Sequence, residues 1–243
     1  MRKTIITALL AASVSLAGLV GTAFADEILE PVVEAAAVGN LKAADTAEQL
    51  ILVEASGLEK VKVSYYRKAS SEKGPGMRKN WTEVFTVPGV YGRNGGTADK
   101  KEGDGKTPLG TYQFTMAFGL KEDPGSVLDY HEIKSGDYWV DDPESVYYNK
   151  LVNTNETKKV WNSAEDMSAA APFYNYGLVL NYNTECIPGK GSAIFIHCTQ
   201  SAADTGSAGC IRIPEEQMKQ LVQSVDGKTN IVIVSDLSQL EYE

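Results

Sequence analysis

From Gln49 to Val234 the apolar residues come in short runs instead of long helical faces, and this limits the chain to a largely β architecture. Leu50-Ile51-Leu52-Val53 is an unbroken apolar run. Val61 to Tyr66 and Trp81 to Val87 alternate with period two, as half-buried strands do. The same texture returns at Thr111 to Phe118, Tyr176 to Tyr182, Ala193 to His197 and Asn230 to Val234. Polar Gly/Pro sequence separates these runs at Ser70 to Lys79, and residues 88–111 are dense in turn formers. One helix is signalled. Pro214 suits its first turn, and Glu215 and Glu216 suit its positive end. Met218, Leu221, Val222 and Val225 share one face, and Gly227 can stop it. The pattern predicts a mostly β fold: an antiparallel β-sandwich or partly closed barrel, with a helix after the Cys210 loop.

The N-terminus bears on compartment. Arg2 and Lys3 precede a short apolar stretch, Ile5 to Val20, and Ala23-Phe24-Ala25 offers the small residues that a signal peptidase reads. Residues 1–25 are therefore expected to be a signal peptide cleaved near Ala25, leaving an exported protein without a membrane anchor. The apolar stretch is short for a membrane span. Residues 26–48, rich in Ala, Glu and Val, read as a leader or spacer segment, with a docked helix as the second reading. Residues 49–243 are then expected to form one domain, and the protein to be a monomer. The net charge of −9, or −11 without Arg2 and Lys3, argues against nucleic acid or an anionic membrane surface as partner.

Chemistry concentrates between Gly191 and Ile213, GSAIFIHCTQSAADTGSAGCIRI. An apolar run delivers His197 at its end, and Ser207-Ala208-Gly209-Cys210 closes a small-residue loop before Ile211-Arg212-Ile213. An imidazole that can take a thiol proton, with glycine admitting a substrate carbonyl to backbone N–H groups, is what a cysteine nucleophile needs. Arg212 offers a two-pronged grip on a carboxylate. A helix starting near Pro214 would stabilise a thiolate if it pointed at the sulfur. A small buried hydrophobe is the bland reading of Cys210, and a core histidine that of His197.

The other candidates are weaker. Three cysteines, Cys186, Cys198 and Cys210, leave at least one thiol unpaired, although Cys186 and Cys198 flank the Pro188-Gly189 turn and could pair in an exported protein. Zinc is disfavoured because adjacent His197 and Cys198 on a strand point to opposite faces. Gly105-Lys106-Thr107 lacks the glycine that a phosphate loop needs five residues earlier, where Lys100 stands. The excursion over residues 119–175 carries Trp139, Asp141, Asp142, Tyr147, Tyr148, Asn149, Trp161 and Tyr174, and such a long segment is more often functional than filler. His131 within it has no chemical partners nearby in sequence and reads as structural or solvated.

These residues resemble the L,D-transpeptidases with a YkuD-type catalytic domain. The family signature is a strand ending in His, a loop, then Ser/Thr-His-Gly-Cys, an apolar residue and often Arg. His197, Ser207, Gly209, Cys210, Ile211 and Arg212 match it. GDGKTPLGTYQF (Gly103 to Phe114), GSAIFIH and YNYGLVLNYN (Tyr174 to Asn183) are similar to other segments of the family, and the likeness covers roughly residues 49–235. It departs at Ala208, where the signature has a second His, and in a shorter loop between His197 and Ser207. The resemblance implies a peptidoglycan stem tetrapeptide as substrate and no cofactor or metal. In that chemistry Cys210 attacks, His197 is base, backbone N–H groups around Gly209 and Cys210 stabilise the oxyanion, and Ser207 belongs to the same catalytic loop. Arg212, Trp139 and Tyr182 are expected to bind substrate, with aromatic core packing the competing role for the last two.

Overall fold

The structure, a computed structural model, describes residues 29–69, 81–201 and 204–242. The expected signal peptide and the Ser70 to Lys79 loop lie outside the described residues. Strands β1 (Gln49–Ala55), β2 (Lys60–Lys68) and β3 (Trp81–Val90) form the expected meander. Two short strands, β4 (Gly96–Thr97) and β5 (Thr107–Pro108), pair with each other across the turn-rich segment. Next come β6 (Gly110–Tyr112), β7 (Phe114–Gly119) and β8 (Tyr130–Glu132), then a small sheet of β9 (Asp137–Val140), β10 (Leu151–Asn153) and β11 (Ala164–Asp166). The last strands are β12 (Gly177–Leu180), β13 (Phe195–Cys198), β14 (Ile211–Ile213) and β15 (Asn230–Val234).

Ten of these strands make one sheet, in the order β6-β15-β1-β2-β3-β14-β13-β12-β7-β8. Thr111 to Phe118, which reads as one strand in sequence, is two. β6 pairs with β15 at one edge and β7 pairs with β12 near the other. Only Gln113 lies between Tyr112 and Phe114, so the two edges must approach each other and the sheet curls into a partly closed barrel. Its inner face confirms the curl. Ile51 and Val53 of β1 belong to the same apolar cluster as Leu178 of β12 and Ile196 and Cys198 of β13. The predicted helix, here Glu215–Val222, plugs this interior with Met218, Leu221 and Val222, joined by Val225 beyond its end. Each fully buried aliphatic side chain contributes about 1.5–3 kcal/mol. Pairing is mixed, not antiparallel throughout, because β1–β15, β13–β14 and β7–β8 run parallel.

Two outer faces of the sheet are also covered. Leu50, Leu52, Tyr66, Val232 and Val234 carry the segment expected as a spacer. Val32, Val33, Val38, Leu41, Ala44 and Ala47 are buried on them, so the docked reading describes residues 29–48, with a one-turn helix at Ala35–Val38. Ser64 and Tyr66 anchor it by side-chain hydrogen bonds with the backbone of Val32 and Val33. The second covered face, formed by Phe118, Val179 and Phe195, carries the small sheet β9–β11 through Trp139 and Met167. This is the face on which Cys210 lies. No helix among the described residues is long and apolar enough to cross a membrane.

Candidate active site

Strand alternation sorts the residues of β13: Ile196 and Cys198 point into the barrel, Phe195 and His197 to the outer face. The parallel register with β14 then sets the neighbours. Ile196 is level with Ile211 and His197 with Arg212. Cys210, one residue before Ile211, stands beside Phe195, so Cys210 and His197 are diagonal neighbours across one strand gap. Together with Phe173, Tyr174, Glu165, Ser207 and Arg212 they line a cavity of about 280 Å³. Cys210, Glu165 and Ala208 also line a smaller one of about 130 Å³ with Lys100, Asp141 and Ser192.

The loop holding Cys210 is braced from inside. Ser207 Oγ donates to the Cys210 carbonyl (2.6 Å) and accepts from the Gly209 N–H (2.9 Å), while Ser207 N–H donates to the Tyr91 carbonyl (2.8 Å). Thr107 Oγ1 donates to the Gly209 carbonyl and accepts from the Gly92 N–H, both at 2.8 Å. A Cβ on Gly209 would meet the Lys106 carbonyl oxygen at 3.0 Å and Ile194 Cδ1 at 3.2 Å, so a larger residue there must displace its neighbours.

Cys210 and His197 are both buried, at 8% and 5% exposure. The Cys210 thiol donates to the Ala193 carbonyl (3.1 Å). Burial pushes its pKa up to about 12, and the negative charge of Glu165 adds to the rise. Burial also takes His197 down to about 3, helped by the positive charge of Arg212. The resting pair is thus thiol and neutral imidazole. His197 Nδ1 faces the carbonyls of Cys198 (3.1 Å) and Phe173 (3.2 Å), which assigns its proton to Nδ1 and leaves Nε2 as the basic nitrogen. The expected helix assistance is absent: strand β14 and Pro214 separate Cys210 from the helix start by more than about 10 Å, at the rise of extended chain.

Arg212 is fixed and partly unsatisfied. Its Nη2 donates to the Thr205 carbonyl, Nη1 lies 4.0 Å from Asp204, and the guanidinium stacks on Phe173 with 5.0 Å to the ring centroid. Its buried Nε has no partner. Trp139 and Tyr182 line neither cavity. Trp139 packs edge-on against Phe195 and donates from Nε1 to Asn149 Oδ1 (3.0 Å). That same oxygen accepts from the N–H of Ala193, which is held in the left-handed region at φ 52° with its carbonyl on Cys210. Trp139 therefore stands behind the sulfur, not in front of it. Tyr182 packs on Tyr112 and ties down the Lys190 carbonyl (2.6 Å).

All three thiols are free: Cys198 is buried in the barrel beneath the helix and Cys186 is half-buried in a loop, so the Cys186–Cys198 bond is not formed. His131 pairs with Asp137 (2.8 Å) at the start of β9, a structural contact. Glu165, Phe173 and Arg93, which line the main cavity, carry no local sequence signal; Tyr174 was marked only as one aromatic of the long excursion.

A strand-borne His and a Gly-Cys loop on the outside of a curled mixed sheet define a cysteine-containing β-barrel site. The chain belongs to the YkuD family of L,D-transpeptidase catalytic domains, whose model matches residues 77–233. Among solved structures it is similar to a Cys-to-Ser mutant of Enterococcus faecium L,D-transpeptidase, at 15% identity and a TM-score of 0.37, covering 77% of this chain and 50% of that one. It is also similar to an L,D-transpeptidase from Stackebrandtia nassauensis, at 14% identity and a TM-score of 0.33, covering 82% of this chain and 60% of that one. The chain thus spans about half to three fifths of these structures' lengths. No curated protein matches it.

Proposed function

We propose that this protein is an exported, cysteine-dependent L,D-transpeptidase that cross-links peptidoglycan stem tetrapeptides through a thioester. The observation that carries this reading is the diagonal placement of Cys210 and His197 on one outer face, opening on a cavity that also holds Arg212. Arg212, with its unpartnered Nε, receives a carboxylate of the stem peptide. His197 Nε2 takes the Cys210 proton as sulfur attacks the amide carbonyl that precedes the terminal D-Ala, then returns it to the departing amine. Because thiol and imidazole rest neutral, proton transfer accompanies attack instead of preceding it. The Cys210 N–H faces the developing oxyanion, while the Gly209 N–H is already committed to Ser207 Oγ. Capture of the thioester by an amine of a second stem completes the cross-link.

Two other readings share parts of this site. Water as acceptor makes the protein an L,D-carboxypeptidase, and a chain without chemistry would be a cell-wall-binding protein that has kept the fold. Incubation with purified muropeptides and mass spectrometry separates all three. Dimers support the transpeptidase, tripeptides without dimers the carboxypeptidase, and unchanged tetrapeptide the binding protein.

A further inference from the structure

Glu165 has no part in the reaction just described, yet among the described residues it is the one carboxylate lining the Cys210–His197 cavity. It lines the smaller cavity beside the sulfur as well. The register of β11 against β9 places it beside Trp139, and Trp139 packs on Phe195, so the small sheet delivers it to this face. Arg93 and Arg212 share the main cavity, but no ion pair among the described residues includes Glu165. Its hydrogen bond comes from the Tyr174 hydroxyl (3.3 Å), and the Tyr174 ring stands edge-on to His197 with centroids 4.9 Å apart. In the smaller cavity, Asp141 Oδ1 is buried with no partner. Burial raises the Glu165 carboxyl above its usual range, and the charges of Asp141 and Glu102 add to this. A half-buried carboxylate in no ion pair, next to a nucleophile, suits a cation brought by a substrate. Among the described residues no set of His, Cys, Asp and Glu could hold a metal ion, so an organic ammonium fits better.

We propose that Glu165 receives the amine acceptor, binding its ammonium group and taking one proton from it. The proposal rests on the transpeptidase reading of the site. An N–H bond of the ammonium breaks as an O–H bond forms on Glu165. The freed nitrogen lone pair attacks the thioester carbonyl, and the C–S bond breaks as the tetrahedral intermediate collapses to the amide. The second departing proton passes through His197 to the Cys210 sulfur, which regains its thiol, and Glu165 releases its proton to solvent. His197 carries the second proton to the sulfur, so the first transfer calls for a separate acceptor, and Glu165 lines the same cavity.

The test uses the full chain as wild type, Glu165→Gln and Glu165→Asp. Acylation by a carbapenem-type β-lactam, read as added mass on Cys210, needs only the Cys210–His197 pair. Dimer formation from a tetrapeptide donor and an acceptor peptide with a free side-chain amine needs the second step too. Glu165→Gln is expected to acylate and to release tripeptide at close to the wild-type rate. Its dimer formation should fall about 10²-fold, the scale of a lost general base, with partial recovery in Glu165→Asp. An acceptor peptide whose side-chain amine is trimethylated, a cation with no proton to give, should suppress wild-type dimer formation without slowing acylation. This arm decides the matter if the variants fail to fold. Dimers at the wild-type rate in Glu165→Gln, an equal loss of acylation and dimers, or no suppression by the trimethylated peptide would overturn the proposal. Absence of any adduct on wild-type Cys210 would overturn the transpeptidase reading, and this proposal with it.

Discussion

The Thr107 hydroxyl donates to the carbonyl of Gly209 at 2.8 Å across 102 residues of sequence, joining the turn-rich segment before the barrel edge to the residue beside Cys210. Thr107 is fully buried and also receives the Gly92 N–H. Thr107→Val keeps the shape and removes both bonds, leaving a buried N–H and a carbonyl unsatisfied. A loss of about 1–3 kcal/mol in urea unfolding is expected. Acylation of Cys210 should slow as well, since the loop loses its fixed position.

Cys210→Ser is expected to abolish turnover, because a hydroxyl in this buried site is far harder to activate than a thiol. Cys198→Ser should keep activity. Its side chain points into the barrel, where the new hydroxyl can still reach the Tyr176 carbonyl, at a cost of about 1–2 kcal/mol. A carbapenem-type adduct located by peptide mapping checks the assignment; finding it on Cys198 would refute it.

Thiol labelling without reductant should count three thiols, with half-buried Cys186 reacting first and Cys198 and Cys210 only slowly at neutral pH. For both slow thiols burial raises the pKa to about 12. A single labelled thiol in unreduced, denaturant-unfolded protein would contradict the structure.

Acid should weaken the fold through His197. Its folded pKa of about 3 lies below the ordinary 6.5, so between these values the unfolded chain binds the extra proton and stability falls as pH falls. The contribution is whole above pH 6.5 and declines toward pH 3. His197→Gln removes the group. The difference in unfolding free energy between wild type and this variant should therefore shrink from pH 7 to pH 4; a constant difference would refute the assignment.

Leu41→Ala tests the covered outer face. Leu41 is 2% exposed against the strands of the barrel, and its truncation should cost about 2–5 kcal/mol in denaturant unfolding. A true spacer would show almost no change.

Much of this architecture was legible because period-two alternation marks strands directly, as in Val61 to Tyr66, and Met218, Leu221 and Val222 mark the helix in the same way. His197 and Cys210 were legible because a strand-end imidazole and a thiol after glycine are unusual chemistry in a two-histidine chain. Other features arise only from long-range pairing. Glu165 reaches the site by its register opposite Trp139, and nothing in Ala164-Glu165-Asp166 announces it. Alternation runs unbroken through Gln113 although the chain changes neighbours there. The docked segment before Gln49 has only a one-turn helix, apolar throughout, too short to show a period.

The alternation that sends Cys198 inward and His197 outward also decides what size of substrate can be served. The barrel interior is filled by Ile51, Leu178, Ile196 and the helix, so nothing can be threaded through it. Under the proposed function, Cys210 on the outside wall would meet broadside a peptide still tethered to a giant meshwork, without its first being cut free.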